Sequence, residues 1–214
     1  RAVVMPYERL LLPPAPYYST LMTGCLEQGR DLSDGLRYNN LGVHGVGAAN
    51  AADALAAVKT LVYEARRIAP EALVRGLDED FAKQEPLRHL LRTQAPKVGN
   101  QDEAADALLR WLFNAFAEAC TAYGKTRRGG IVRPGSGSAM NFLWLADPKR
   151  QGAEAKVGAT ADGRRAGEPF SANLAPAPGI QVRGPTSAMQ SFARIDYGRI
   201  CNGGPLTMEL AELS

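Results

Sequence analysis

The stretch from Val157 to Gly179 most constrains the fold, because no regular hydrophobic pattern runs through it. It contains seven Gly and Pro residues, and it shows neither the 3.6-residue period of a helix nor the two-residue period of a strand. The punctuation by Gly and Pro predicts a loop. Its low content of Ser, Lys and Glu argues against disorder. Long ordered loops inside compact domains are usually functional, so this loop is expected to organise the chain around it.

Charged side chains are expected to hold this loop in place. An irregular backbone segment must satisfy its N–H and C=O groups through specific partners. The carboxylate of Asp162 can accept hydrogen bonds, and the guanidinium groups of Arg164 and Arg165 can donate several each. We interpret these three residues as a structural clasp, with direct contact to a substrate as the alternative.

Composition excludes several classes of function. The chain has 214 residues and a net charge of +3, without the run of basic residues that a nucleic-acid partner would require. It has no apolar stretch long enough to span a membrane. Its cysteines are widely spaced and lack a CxxC pair, so reduced thiols in the cytoplasm are expected, and no disulfide framework or metal site is predicted. These cysteines are Cys25, Cys120 and Cys201.

Periodicity predicts alternating helices and strands. Ser19 is expected to cap a helix that runs to about Gly29, and Asn100 with Glu103 has the spacing that opens a second helix, which runs to Tyr123. Residues 46–67 form a third amphipathic pattern. Short helical segments are expected at 70–75 and 86–93, and strands at 41–46, 139–145, 188–195 and 206–210.

Candidate substrate-binding residues cluster around the first predicted strand. His44 lies at its junction with the following helix, where barrel enzymes place their chemistry. Its side chain could bind a substrate carboxylate or hydroxyl or act as a proton donor, or it could satisfy neighbouring loop carbonyls. Asn39 and Asn40 precede the strand and join His44 as candidates, although hydrogen bonding that holds the loop is the favoured role for each asparagine.

Two other motifs could bind phosphate, and neither is favoured. The segment Gly45–Asn50 half-matches a dinucleotide-binding fingerprint, but Asn50 replaces the third glycine and no acidic residue follows at a strand end. A tight passage from strand to helix explains these glycines better. A group of basic residues lacks interleaved aromatic side chains, so a solvated turn is favoured for it. This group comprises Lys125, Arg127, Arg128 and Arg133.

Four sequence blocks resemble glycyl radical enzymes of the pyruvate formate-lyase type. The organising loop contributes GATADGRRAGEP and SANLAPAPG, and GPTSAMQSFARID follows it. Upstream, CLEQGRDLSD with RYNN and then GVHGVGAANAADALAAVK stand in the order found in that family. The position of His44 departs from the pattern, because Gln is more common there. The resemblance extends over essentially the whole chain.

The resemblance implies a fold and a chemistry. Glycyl radical enzymes are α/β proteins built on a ten-stranded barrel, so residues 1–214 are expected to form a single segment of one half of it, with long amphipathic helices and ordered loops and no complete second domain. A thiyl radical abstracts a hydrogen atom from a small substrate, and a C–C, C–N, C–O or C–S bond is then cleaved. A separate activase, which uses S-adenosylmethionine and an iron–sulfur cluster, installs the glycyl radical. A homodimer of the full-length protein is also implied.

The two catalytic loops of the family have no counterpart among these residues. Cys25 matches a helix position that is not catalytic, and no motif of the radical-glycine type occurs. We therefore expect a fragment that is inactive by itself and assign no catalytic or metal-binding residue. A decarboxylase or another C–C lyase branch is one hypothesis for the parent enzyme. The alternative from a different class is a non-catalytic binding or structural module that retains the scaffold.

Overall fold

A computed structural model describes residues 13–137 and 157–208. Two strands pair within these ranges, β1 (Leu41–Gly45) and β2 (Val132–Ser136). A π-helix at Val58–Glu64 continues the fourth α-helix without a break. The α-helices of the described ranges are α1 (Pro16–Thr20), α2 (Cys25–Gln28), α3 (Leu32–Gly35), α4 (Ala48–Ala57), α5 (Pro70–Asp78), α6 (Glu85–Thr93), α7 (Glu103–Tyr123) and α8 (Pro185–Ala193).

The two strands run parallel, with helices between them in the chain. Leu41 is in register with Val132, and Gly45 with Ser136. Parallel strands need a crossover connection, and here α4 to α7 provide it. Leu41 and Val43 pack with Cys120 of α7. The sheet therefore has one face covered by α7, which is the arrangement of an α/β layer.

Two clusters of buried residues form the core. In the first, α4 packs on α7 through alanines at helical spacing, so that the two helices approach closely. Leu109 and Phe113 of α7 and Phe192 of α8 complete that cluster. In the second, the π-helix packs with α5 and α6 around the fully buried side chains of Phe81 and Leu91.

The predicted helix from Ser19 to Gly29 is wrong, because the chain forms two short helices there. The first ends at Thr20, and Gly24, the N-cap of the second, has a φ of +94°, a left-handed conformation that a continuous helix could not contain. Ser19 is not a cap but lies inside α1, where its hydroxyl donates to the Ala15 carbonyl at 2.8 Å. The second predicted cap is displaced as well. Asp102 caps α7 by accepting from the Ala104 N–H at 3.1 Å.

The strand predictions are correct only in part. The prediction at 41–46 is confirmed as β1. The segment 188–195 is not a strand, since most of it belongs to α8, which starts at Pro185. β2 is a strand that the sequence analysis does not predict, and it contains Arg133 of the basic group interpreted as a solvated turn. The strand predicted at 139–145 lies outside the described residues, and at 206–210 the described part shows an isolated bridge between Leu206 and Leu174.

Candidate functional site

His44 lies one residue before the carboxyl end of β1, opposite Gly135 of β2. Side chains alternate along a strand. Because Val43 packs towards α7, the His44 side chain lies on the other face of the sheet, where it is exposed. In an α/β barrel the helices surround the strands, so this uncovered face is the one turned to the interior.

Asn39 and Asn40 lie at the opposite end of β1 from His44. Asn40 accepts a hydrogen bond of 3.0 Å from the Ile131 N–H through its side-chain oxygen, and this bond holds the start of β1 beside β2. Four residues of extended chain separate Asn40 from His44, or about 13 Å. The structure therefore does not bring the three candidates together, and their assignment to substrate binding stays a prediction.

A short segment at residues 202–203 bonds to the edge of β2 that faces away from β1, and it covers part of the face that carries His44. The Asn202 N–H donates to the Pro134 carbonyl, and the Ser136 N–H donates to the Gly203 carbonyl, both at 3.0 Å. A Cβ atom on Gly135 would come within 2.8 Å of the backbone oxygens of both residues. A side chain on Gly42 would overlap the Asn202 amide. Both positions therefore require glycine for this close approach. The sequence analysis does not predict that requirement.

Arg133 shares this face with His44. It is in register with Gly42 in the strand pair, next to the position of His44. The sequence reading placed Arg133 in a solvated turn, but it belongs to β2 and is half-buried. Its Nε is buried and has no hydrogen-bond partner. The alternation of Val132 and Pro134, both buried, with Arg133 is the sequence signal that could have revealed it.

Asp162 anchors the organising loop to helix α4 and to the chain before α7. The Asn50 amide donates to its carboxylate at 2.7 Å, and the Thr160 hydroxyl donates to the other carboxylate oxygen. Lys97 donates to the Asp162 carbonyl at 3.2 Å. Asp162, Asn50 and Lys97 are all buried. Charge-assisted hydrogen bonds of this kind are stronger than neutral ones, so this end of the loop is firmly held.

Asn50 fills the position of the missing third glycine in the fingerprint-like segment. Its side-chain oxygen accepts from the Ser171 N–H at 2.7 Å, while its amide binds Asp162. Gly47 has a φ of +70°, and a Cβ atom there would come within 2.9 Å of the Phe170 ring. The glycine-rich turn thus lets the strand-to-helix junction lie directly against the loop, as the interpretation of a tight passage predicted.

Arg164 is the centre of the loop. Its guanidinium donates to the carbonyls of Arg165 and Glu168, both at 2.7 Å, and to two further carbonyls at Val157 and Gly158. The same group lies 3.8 Å above the ring of Phe170. Burial lowers the pKa of Arg164 from its ordinary value. A planar donor with several N–H groups suits this position, because one side chain satisfies four backbone oxygens.

An outer set of ion pairs joins the loop to α6. Arg165 donates to Glu85 at 2.7 Å, and Arg88 donates to Glu168 at 2.9 Å. Arg88 also binds the Gly163 carbonyl at 3.0 Å. These pairs are more exposed than Arg164, so each is expected to add less to stability.

Two buried ionisable residues, Asp53 and Lys97, lie beside the clasp. Asp53 on α4 is fully buried and accepts from the Val98 N–H at 2.7 Å. Burial raises the pKa of Asp53 to about 8. Burial also lowers the pKa of Lys97, which lies near it. Sequence reading overlooked Asp53, although it lies four residues after Ala49 and so falls within the buried stripe of α4.

The described residues offer no site for a bound metal. No group of three or more His, Cys, Asp and Glu side chains among them could hold such an ion. Cys25 and Cys120 are buried, whereas Cys201 is exposed. Across the same ranges, no helix is both long enough and apolar enough to cross a bilayer.

Comparison with known proteins gives concordant matches. A family profile described as pyruvate formate lyase-like matches residues 11–142. Trans-4-hydroxy-L-proline dehydratase of Clostridioides difficile is 30% identical over 194 residues, which is 90% of this chain and 23% of that protein. Isethionate sulfite-lyase of Desulfovibrio desulfuricans is 32% identical over 146 residues, or 68% of this chain and 16% of the lyase.

A solved structure supports the fold. The glycerol-bound B12-independent glycerol dehydratase from Clostridium butyricum matches with a TM-score of 0.77 and 34% identity, covering 90% of this chain and 23% of the dehydratase. The predicted fold, a segment of an α/β barrel, is confirmed by this likeness. The chain spans less than a quarter of the length of the relatives that it matches.

Proposed function

Because the chain belongs to the pyruvate formate lyase-like family of glycyl radical enzymes, we propose that the full-length protein is a radical lyase for a small substrate. The thiyl radical of such an enzyme would abstract a hydrogen atom, and a C–C, C–N, C–O or C–S bond would then break. The observation that carries this proposal is the family match over residues 11–142. Relatives named as dehydratases and as a sulfite-lyase support lyase chemistry in particular.

The residues of this chain would position the substrate and support the barrel wall. His44 lies near the carboxyl end of β1 on the uncovered face, where it could bind a carboxylate or hydroxyl group. The clasp built by Asp162 and Arg164 fixes the loop beside the helix that follows β1. A rigid wall of this kind holds a substrate in a reactive orientation and keeps water away from it. A decarboxylase or another C–C lyase is the finer hypothesis that we retain.

The proposal includes partners that lie outside this chain. A separate activase with S-adenosylmethionine and an iron–sulfur cluster would install the glycyl radical, and the full-length protein would act as a cytoplasmic homodimer. We assign the thiyl radical to none of the cysteines here. Cys25, the one within a family-like block, is buried in α2 with only 1% of its surface exposed.

The test uses the full-length protein and its activase under strict exclusion of oxygen. Electron paramagnetic resonance should detect a glycyl radical after activation, and product analysis over a panel of small diols, hydroxy acids and sulfonates should identify the bond that is cleaved. His44→Gln should change KM while leaving radical formation unchanged. His89→Gln is the matched control, because His89 is exposed on α6 and should change neither.

One outcome would contradict the lyase proposal, and another would contradict only the role of His44. If no radical forms with a competent activase, the alternative of a non-catalytic binding or structural module is favoured instead. If the radical forms but His44→Gln leaves KM and kcat unchanged, the lyase proposal stands and the substrate-binding role of His44 is wrong.

A further inference from the structure

A cavity of about 250 Å³ lies between helix α6, the first turn of α4 and the organising loop. Since a water molecule takes up about 30 Å³ of the liquid, this space accommodates a ligand of roughly eight non-hydrogen atoms. The Pro-rich end of the loop supplies the apolar part of the lining. The polar part consists of the side chains of Asn50, Arg92, Asp162, Arg164 and Glu168.

The side-chain oxygens that line this cavity already accept hydrogen bonds. One carboxylate oxygen of Asp162 accepts from the Asn50 amide at 2.7 Å, and the other accepts from a neighbouring hydroxyl. The Asn50 oxygen accepts from a backbone N–H of the loop. Glu168 accepts from the Arg88 guanidinium and from the Arg165 N–H, both at 2.9 Å. The protein's own donors therefore satisfy both carboxylates, and the lining does not call for a bound cation.

The hydrogen-bonding groups left over in the cavity are donors. Arg92 is half-buried, and its Nη2 donates to the Gly179 carbonyl at 2.8 Å. Within the described residues its Nε and Nη1 have no acceptor, and no carboxylate pairs with it. Arg88 and Arg165, by contrast, each pair with a glutamate. Arg164 is 2% exposed and has an Nε without a partner. Partly desolvated donors of this kind favour an anionic ligand.

A second buried cationic side chain lies close to Arg92. The Lys97 amine donates to the Asp162 carbonyl at 3.2 Å. Burial lowers the pKa of Lys97, the carboxylates of Asp53 and Asp162 raise it, and the charge of Arg92 lowers it further. Lys97 and Arg92 are thus close enough to repel each other, and an anion bound beside Arg92 would relieve that repulsion.

We propose that this cavity binds a small oxyanion, either a phosphate group or a carboxylate, and that Arg92 is its principal ligand. The planar fork of a guanidinium matches two oxygens of either group. Arg92 belongs to α6 and already contacts the end of the loop, so the bound oxyanion would join the helix to the loop. No residue that lines the cavity belongs to β1 or β2. The inference is therefore independent of the proposed substrate face and of the radical chemistry.

The test measures binding to the full-length protein before activation. Orthophosphate, sulfate and succinate are titrated by calorimetry at constant ionic strength, with succinamide as the uncharged counterpart of succinate. At least one anion should bind, and succinamide should not compete with it. In Arg92→Gln the affinity should fall by about 10- to 100-fold, as expected for loss of a charged hydrogen bond. Tighter binding of phosphate and sulfate than of succinate identifies a phosphate group as the ligand, and the reverse order identifies a carboxylate.

Two further sets of variants serve as controls. Arg75→Gln removes an exposed arginine from the last turn of α5 and should leave the affinity within about twofold of the wild type. Ile180→Glu keeps Arg92 but adds a carboxylate to the lining, so it should abolish binding. Ile180→Gln adds a side chain of the same size without the charge and should retain much more of the affinity. This pair decides the question even if Arg92→Gln does not fold.

Limited proteolysis reports on the loop itself. A saturating oxyanion should slow cleavage between residues 157 and 179 in the wild-type protein and not in Arg92→Gln. The proposal is overturned if none of the three anions binds the wild-type protein, or if binding survives unchanged in Arg92→Gln or in Ile180→Glu. Binding that leaves the cleavage rate unchanged would contradict the connection between α6 and the loop.

Discussion

Asn50 donates a hydrogen bond of 2.7 Å to Asp162, which lies 112 residues further along the chain. This bond joins the first turns of α4 to the loop that follows the second strand. Because Asn50 also accepts from the Ser171 N–H, a single amide is bonded to two points of the loop. The strand-to-helix junction and the loop therefore form one structural unit.

Replacing Asn50 should loosen that unit. In Asn50→Ala the Asp162 carboxylate and the Ser171 N–H both lose a buried partner, so local opening should become easier by about 2 to 4 kcal/mol. Proteolysis of the full-length protein between residues 157 and 179 should accelerate accordingly. Asn114→Ala removes a surface hydrogen bond to Arg199 and is the control. Equal cleavage rates in the two variants would contradict the anchoring role.

Replacement by lysine should destabilise the protein much more at Arg164 than at Arg165. Arg164→Lys loses most of the four backbone contacts and should destabilise the protein by about 2 to 4 kcal/mol. Arg165→Lys retains an exposed pairing with Glu85 and should cost at most about 1 kcal/mol. Thermal unfolding of both full-length variants measures the difference. Similar losses at the two positions would show that the loop depends on charge alone and not on the planar group.

The buried carboxyl of Asp53 predicts a dependence of stability on pH. Because burial raises the pKa of Asp53 to about 8, the folded state binds this proton more tightly than the unfolded state. Stability from this group is therefore greatest at low pH and is lost as the pH rises towards 8, with a limiting slope of about 1.4 kcal/mol per pH unit.

Asp53→Asn isolates this effect. The variant keeps an oxygen that can accept from Val98, but it cannot titrate. Relative to the variant, the wild-type protein should lose thermal stability between pH 5 and 8. A difference between the two proteins that stays constant over this range would instead show that Asp53 is already ionised in the folded state.

The close approach at Gly135 makes a steric prediction. In Gly135→Ala the new methyl group would meet the backbone oxygens of residues 202–203 at 2.8 Å. This segment would have to shift, at a cost of about 1 to 3 kcal/mol. Gly158→Ala is the control, since a Cβ atom there meets nothing within 4 Å. The melting temperature of Gly135→Ala should be lower than that of Gly158→Ala. Equal melting temperatures would contradict the close contact at Gly135.

The sequence by itself determined the features that depend on local pattern. The Gly and Pro residues of 157–179 exclude regular structure over a long stretch, and the described chain there forms no helix or strand. The period of apolar residues after Glu103 fixes α7, which continues to Tyr123 as predicted. The glycines around Val46 indicate a tight passage into α4, and Gly47 adopts a left-handed conformation there. Each of these signals lies within one segment, so it can be read without knowledge of its neighbours.

Tertiary structure alone decided the features that depend on distant partners. β2 contains Pro134 and Gly135, residues that disfavour strands, and it forms because β1 pairs along one side and residues 202–203 bind on the other. A short apolar run at 188–195 fits a strand or a helix equally well, and packing of Phe192 in the core accompanies the helix. The hydrogen-bond partners of a buried side chain also depend on distant segments, because these segments decide whether water can reach it. Arg164 has its carbonyls and Arg133 has no partner among the described residues, a difference that no local pattern encodes.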